Sequence, residues 1–364
     1  TAGLRITTTL DLDLQKSAEQ VVRDGAKKNL ARGAENAALV ALDATNGHIL
    51  AMVGSRDYWD TAIDGNVNVT IEKRQPGSAF KPFAYATAFT KGFQPETPIY
   101  DRPVNFGPDG SGRDYIPQNY DGKFRGRLTM RQALAMSLNV PAVQTLALAG
   151  IGDTITLATR LGITTLTEPK RYGLSLVLGG AEVRPLDMAN AFSAFGQEGR
   201  THETTGIAHI TDTHGKTLAW SHEVATEPAL DPEVARKINS ILSDNGARTP
   251  IFGPRSPLAF PSGVTVAAKT GTTQNFRDAW TVGYTPSIAV AVWAGNNDNR
   301  PMNAGADGIY VAAPIFRAFM DQALVRFPKT GFTAYKAEPD QRLTNPGETL
   351  GGRTIYIDKK TGRE

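Results

Sequence analysis

Two short apolar runs near the start of the chain and three near its end, with mostly helical periodicity between them, constrain the fold most. Residues 37 to 43 and 47 to 53 are separated by Ala-Thr-Asn and a turn at Gly47, the signature of a hairpin. Residues 263 to 273, 278 to 284 and 288 to 294 are rich in Val, Ala, Thr and Trp and divided by short turns, so they read as strands as well. Strands at both ends of the order and helices in the middle predict an α+β fold. Its antiparallel sheet has about five strands, is completed by both ends of the domain, and is flanked by helices with a helical subdomain. Motifs far apart in sequence are then brought together.

Between the strand groups the spacing predicts helices over 79 to 91, 128 to 138, 153 to 161, 185 to 197 and 231 to 243, broken by loops such as 101 to 120. A small hairpin is expected over 206 to 220, turning at Asp212 to Gly215, and a last helix near 313 to 325. A strand over 5 to 9 and a helix from Leu14 to about Leu30, capped by Asp11 or Asp13, make residues 1 to 36 a connector. The main domain is 37 to 329. Residues 330 to 364, with several Gly, Pro and charged side chains, read as a weakly ordered tail.

At 364 residues the chain exceeds the roughly 250 to 300 at which a single core stops growing, which fits one large domain with appendages. The 39 Lys and Arg against 36 Asp and Glu are scattered, and no basic stripe marks a nucleic-acid binder. There is no Cys, so disulfides and thiolate metal sites are excluded. No apolar run approaches the roughly 18 to 20 residues of a membrane span, and the opening Thr1-Ala-Gly-Leu-Arg reads as the interior of a longer protein. Any membrane contact would then come through a segment upstream.

The chemistry centres on Gln75-Pro76-Gly77-Ser78-Ala79-Phe80-Lys81, which sets a Ser and a Lys three residues apart at a helix start. Residues at i and i+3 share a face, so Ser78 and Lys81 can touch. A hydroxyl is a poor nucleophile until a base takes its proton, and a lysine serves once burial and positive neighbours lower its pKa. In the bland alternative Ser78 is a helix cap and Lys81 is solvated. Against it stand the apolar setting of Phe80, Phe83, Tyr85 and Phe89, and the absence of any second Ser-x-x-Lys.

Ser137-Leu138-Asn139 precedes Val140-Pro141 on a tight loop, where Ser137 can relay a proton and Asn139 can bind a substrate amide. Ser243-Asp244-Asn245 has the same pattern but ends a helix before Gly246, where these residues are ordinary caps. Lys269-Thr270-Gly271-Thr272 closes an alternating strand run, and Gly271 lets backbone approach a substrate closely. Lys-Thr-Gly recurs at 329 to 331 and 360 to 362 with no strand before it, and no role is assigned there. The five His lie on strands or polar loops without a Gly-x-Ser-x-Gly elbow. There is no His-Glu-x-x-His and no Walker loop, so no metal or other cofactor is implied.

This set of Ser-x-x-Lys, Ser-x-Asn and Lys-Thr-Gly motifs resembles the penicillin-binding proteins. Together with Thr8 to Gln15, Arg74 to Ser78, Ser137 to Ala142, Leu178 to Val183 and Lys269 to Asp298, it resembles the transpeptidase domain of the class A, bifunctional group, over about 4 to 328. The resemblance implies the penicillin-binding and serine β-lactamase-like fold, and a D,D-transpeptidase that cross-links peptidoglycan. Its serine attacks stem peptides ending in D-Ala-D-Ala, releases D-Ala and passes the acyl group to an amine on a neighbouring stem.

Carried over, Ser78 is the nucleophile and Lys81 its base, while Ser137 and Lys269 shuttle protons. Asn139 holds the substrate backbone, and Thr270 and Thr272 bind its carboxylate across Gly271. The backbone N–H groups of Ser78 and Thr272 form the oxyanion hole. β-Lactams would acylate the same serine, and the parent protein would work at the extracytoplasmic face of the bacterial membrane. No Glu starts the Glu-x-x-Leu-Asn pattern resembling the β-lactamase deacylating site, which implies a long-lived acyl-enzyme. A D,D-carboxypeptidase and a non-catalytic β-lactam sensor or scaffold remain the alternatives.

Overall fold

The computed structural model describes residues 3–108, 112–218, 228–261 and 263–338. Strand β1 (Leu4–Thr8) leads into helix α1 (Leu12–Asn29), whose first turn is capped by the Asp11 carboxylate accepting from the amides of Asp13 and Leu14, each at 3.1 Å. The hairpin expected next is present as β2 (Asn36–Asp43) and β3 (Ile49–Val53).

The helical layer begins with a 3₁₀ turn, Gly77–Phe80, that runs into α2 (Lys81–Thr90). A two-stranded ribbon of β4 (Pro98–Asp101) and β5 (Gly126–Thr129) precedes α3 (Met130–Ala135), α4 (Asn139–Ala149) and α5 (Ile151–Arg160). Helix α6 (Pro185–Gly196) follows, then β6 (Ile207–Asp212), α7 (Pro232–Leu242) and α8 (Asn245–Phe252). The chain returns to the sheet as β7 (Ala267–Thr272), β8 (Asp278–Tyr284) and β9 (Ile288–Gly295), and continues through α9 (Gly308–Val311) to α10 (Ala313–Ala323).

The five-stranded sheet has the order β3-β2-β9-β8-β7 and is antiparallel throughout, so both ends of the chain complete it. Every residue of β9 is buried because helices cover both faces, which explains its uninterrupted apolar run. The period-2 pleat sorts the side chains of β2: Ala38, Val40 and Leu42 enter the core shared with α2, α4 and α6, while Ala37, Leu39 and Ala41 enter the core shared with α1 and α10. Helix α2 is buried on all sides through Phe89, and Phe80, Phe83, Phe192, Phe195 and Tyr284 form one aromatic cluster around it.

Helices α4 and α8 and the single turn α9 were not legible in the sequence. Helix α4 is apolar almost all round, which erases a helical stripe, and its Pro141 lies in the first turn, where no N–H is required. Helix α8 contains Pro250 and joins α7 through Ser243 and Asp244; Asp244 Oδ1 accepts from the Ala247 amide at 2.8 Å, so this second Ser-x-Asn is a pair of helix caps.

Strand β1 pairs antiparallel with β6, and the turn after β6 brings Thr217 against Thr211, in the 206 to 220 region read as a hairpin. Residues 219 and 220 of that hairpin lie outside the described residues, as do 339 to 364 of the expected tail, including its Lys-Thr-Gly at 360 to 362. Residues 330 to 338 pack: the Phe332 ring lies 5.5 Å from that of Tyr284, and Tyr335 Oη donates to Glu96 at 2.9 Å.

Candidate active site

The turn that carries Ser78 is shaped by backbone contact with β7. Gly77 has φ +54°, and a Cβ there would lie 2.4 Å from the carbonyl oxygen of Thr272. At Gly271 a Cβ would lie 2.1 Å from the carbonyl oxygen of Pro76. Two glycines thus let the turn carrying Ser78 and the strand carrying Lys269 touch main chain to main chain. Side chains three apart eclipse in a 3₁₀ turn, so Ser78 and Lys81 stand on the same side of Gly77–Phe80. Ser78 is half-buried and Lys81 fully buried.

The Lys81 amine is anchored by the turn between α3 and α4. Ser137 adopts φ +60°, which turns successive carbonyls toward one point. Lys81 Nζ donates to the carbonyl oxygens of Ser137 at 2.6 Å and Leu138 at 3.2 Å, and to Asn139 Oδ1 at 2.8 Å; Ser137 Oγ stands at 3.5 Å. Asn139 is held at its other end, where Nδ2 donates to the Gln118 carbonyl at 2.9 Å and its amide donates to Asn119 Oδ1 at 2.9 Å. The structure therefore gives Asn139 a positioning contact that the sequence reading lacked.

Lys269 completes the chain of contacts. Its Nζ donates to Ser137 Oγ at 2.7 Å and to the Thr270 carbonyl at 2.9 Å. Both lysines are buried and neither donates to a carboxylate, so the charged forms are disfavoured. Burial, then the charge of Lys269, pulls Lys81 well below its ordinary pKa. Burial, then the charge of Arg248, brings Lys269 down to about 7. Ser137 Oγ sits between two amines whose charged forms burial disfavours.

Thr270 is buried on β7, and Thr272 Oγ1 accepts from the Gly308 amide at 3.0 Å. Asp307 is tied to this corner by the Tyr120 hydroxyl, which donates to Asp307 Oδ2 at 2.9 Å. Asn119, Tyr120, Asp307 and Arg248 all surround the constellation, and no local motif marks them. Burial pushes Asp307 upward, and burial lowers even Arg248 to about 10. Ser78, Lys81, Ser137, Asn139 and Lys269 to Thr272, which come from three separate segments, converge on one site.

Residues 37–321 match the family described as the penicillin-binding protein transpeptidase domain, and the chain belongs to that family. It is 32% identical to penicillin-binding protein 2D of Bacillus subtilis, over 100% of this chain and 49% of that protein. Identity to penicillin-binding protein 1A of Neisseria flavescens is 34%, over 85% of this chain and 38% of that protein. The chain thus spans about half the length of these relatives, or less.

Among solved structures, PonA1 of Mycobacterium tuberculosis in complex with penicillin V superposes with a TM-score of 0.78 at 27% identity, over 92% of this chain and 90% of that one. Penicillin-binding protein 1A of Haemophilus influenzae shares the fold, with a TM-score of 0.80 at 21% identity, over 92% of this chain and 68% of that one. Among the described residues no single helix is long and apolar enough to cross a membrane.

Proposed function

We propose that this chain is a serine D,D-transpeptidase that acylates Ser78 with a peptidoglycan stem peptide and passes the acyl group to an amine, at the extracytoplasmic face of a bacterial membrane. The observation that carries the reading is the buried Lys81–Ser137–Lys269 chain beside Ser78. Its lowered lysine pKa values supply a neutral amine near neutral pH, as a lysine base requires.

Lys81 takes the Ser78 hydroxyl proton as Oγ adds to the carbonyl carbon of the penultimate D-Ala. The oxygen of that carbonyl gains the electron pair and is met by the amides of Ser78 and Thr272, donors of which one is typically worth about 10² to 10³ in rate. As the carbonyl re-forms, the C–N bond breaks, and the departing D-Ala nitrogen takes a proton through Ser137 Oγ from the lysine pair. An incoming amine then reverses the sequence and frees Ser78. Because β7 is the outer strand of the sheet, an extended stem can pair with its open edge, Thr270 and Thr272 holding the terminal carboxylate beside Lys269.

The test is intact mass after incubation with a penicillin, followed by peptide mapping and repeated on Ser78→Ala. A stable one-to-one adduct on the Ser78 peptide, lost in the variant, is expected; folded protein that forms none overturns the reading. Product analysis on a D-Ala-D-Ala donor with an added amine then separates transfer from hydrolysis, which would indicate a carboxypeptidase. No turnover would indicate a sensor.

A further inference from the structure

The Thr272 hydroxyl is already engaged by a residue that the proposed reaction does not use. Its Oγ1 accepts from the Gly308 amide at 3.0 Å, and its proton is donated to the Asp307 carboxylate. A hydroxyl has one proton to donate. A substrate carboxylate arriving at Thr272 therefore finds that donor held by another carboxylate. Asp307 Oδ2 accepts a second hydrogen bond, from Tyr120 Oη at 2.9 Å.

Helix capping does not account for this placement. Asp307 stands at the N-cap position of α9, where an Asp ordinarily turns its carboxylate back onto the amides of the first turn. No such bond forms here. The amides of Tyr310 and Val311 donate instead to the Asp307 main-chain carbonyl, at 2.8 and 3.0 Å, and the half-buried carboxylate is left to Tyr120 and Thr272.

Tyr120 reaches Asp307 from the other side of the site. The loop that carries it also holds Asn139, through the Gln118 carbonyl and the Asn119 side chain. Its exposed ring meets that of Phe276 edge-on, with centroids 6.4 Å apart, just past the end of β7. The Tyr120–Asp307 bond thus ties the Asn139 side of the site to the Thr272 side across 187 residues of sequence. A solvent-exposed hydrogen bond contributes little net of the water that would replace it, so this tie can open.

We propose that Asp307 determines how well the site takes a terminal carboxylate: in the substrate-free protein its own carboxylate, held by Tyr120, occupies the Thr272 donor, and a carboxylated substrate binds by displacing it. The inference rests on the proposed reaction, in which Thr272 binds that terminal group. During the exchange the Thr272 proton turns from Asp307 to the substrate, and two anions share a partly enclosed corner where like charges oppose one another. Lys269 draws the incoming anion, whereas a substrate without a carboxylate leaves Asp307 in place.

The experiment uses two thioester donors that differ only at the end of the leaving group, a free carboxylate in one and its methyl ester in the other. The rate constant per unit concentration for Ser78 acylation is read by mass spectrometry for each donor, on the unaltered protein and on Asp307→Asn, Asp307→Ala and Tyr120→Phe. Removing the charge in Asp307→Asn should raise the ratio of carboxylate to ester by about tenfold or more. Asp307→Ala, which removes the acceptor altogether, should do the same, and Tyr120→Phe, which keeps the ring on Phe276, should raise the ratio less. Both donors are read on the same preparation, so partial unfolding slows both and leaves the ratio intact.

A ratio that falls in Asp307→Asn would mean that Asp307 orients Thr272 for the substrate, and overturns the inference; a ratio unmoved in both Asp307 variants overturns it as well. A response confined to the Asp307 variants overturns the part given to Tyr120. Acylation of Ser78 with an unmoved ratio sinks the competition alone, whereas no acylation of the unaltered protein by either donor sinks the reaction beneath it.

Discussion

Lys269 Nζ donates a 2.7 Å hydrogen bond to Ser137 Oγ, across 132 residues of sequence. This contact joins the edge strand to the turn that holds Lys81, so a proton can pass between the two buried amines. Because Ser137 stands at φ +60°, the hydroxyl can be removed without straining the backbone by placing Gly there. Ser137→Gly should keep the carbonyl contacts to Lys81 and the fold, while slowing Ser78 acylation by about 10² or more. The measurement is the rate of penicillin adduct formation beside a thermal melt; unchanged acylation in a folded variant removes Ser137 from the proton path.

What the sequence made legible was whatever repeats locally. The pleat of β2, β3 and β7 to β9 shows as apolar runs, and Ser78, Lys81, Ser137 and Lys269 show as motifs. Local patterns do not reveal partners supplied by distant segments. Asn119 holds the amide of Asn139 from a loop with no regular structure, and Arg248 acts from a helix whose Pro250 hid it. Lys81 was expected to face Ser78 and does share its side of the turn, yet its hydrogen bonds run to Ser137, Leu138 and Asn139, acceptors that no spacing rule predicts.

Gly271 tests the contact between β7 and the turn that carries Ser78. A methyl group there meets the Pro76 carbonyl, main chain that cannot swing aside. Gly271→Ala should therefore push β7 from Gly77 and Ser78, destabilise the protein by about 1 to 3 kcal/mol and lower acylation by on the order of 10² through misplacement alone. Denaturant unfolding and adduct kinetics on the same preparation check both effects. Full activity with a lowered midpoint would confine Gly271 to packing.

Arg248 is 3% exposed, and its charge opposes protonation of Lys269. With Lys269 at about 7, the ammonium that would hold a substrate carboxylate is present at lower pH and lost as pH rises through about 7. Removing the opposing charge in Arg248→Met should raise the Lys269 pKa and move that loss to higher pH. The alkaline limb of kcat/KM for a carboxylated donor reports it, since this ratio follows groups of the free enzyme. The acid limb, where Lys81 is protonated and ceases to act as a base, should move far less. An alkaline limb that stays in place dissociates Arg248 from the site.

In the proposed reaction Lys269 has two separable tasks, proton transfer through Ser137 Oγ and attraction of the terminal carboxylate. Any substrate needs the first, whereas only a substrate with a free carboxylate uses the second. Lys269→Ala should therefore slow acylation by a neutral thioester analogue, and slow acylation by a carboxylated donor further, by on the order of a further tenfold or more, the scale of a charge-assisted hydrogen bond. Rate constants for the two substrates on both proteins give the answer as a double ratio. Equal losses would leave Lys269 only its contact with Ser137 and shift carboxylate recognition to Thr270 and Thr272. A loss confined to the carboxylated donor would instead leave Lys81 able to act without Lys269, and the Ser137 bridge would then serve to hold geometry rather than to carry protons.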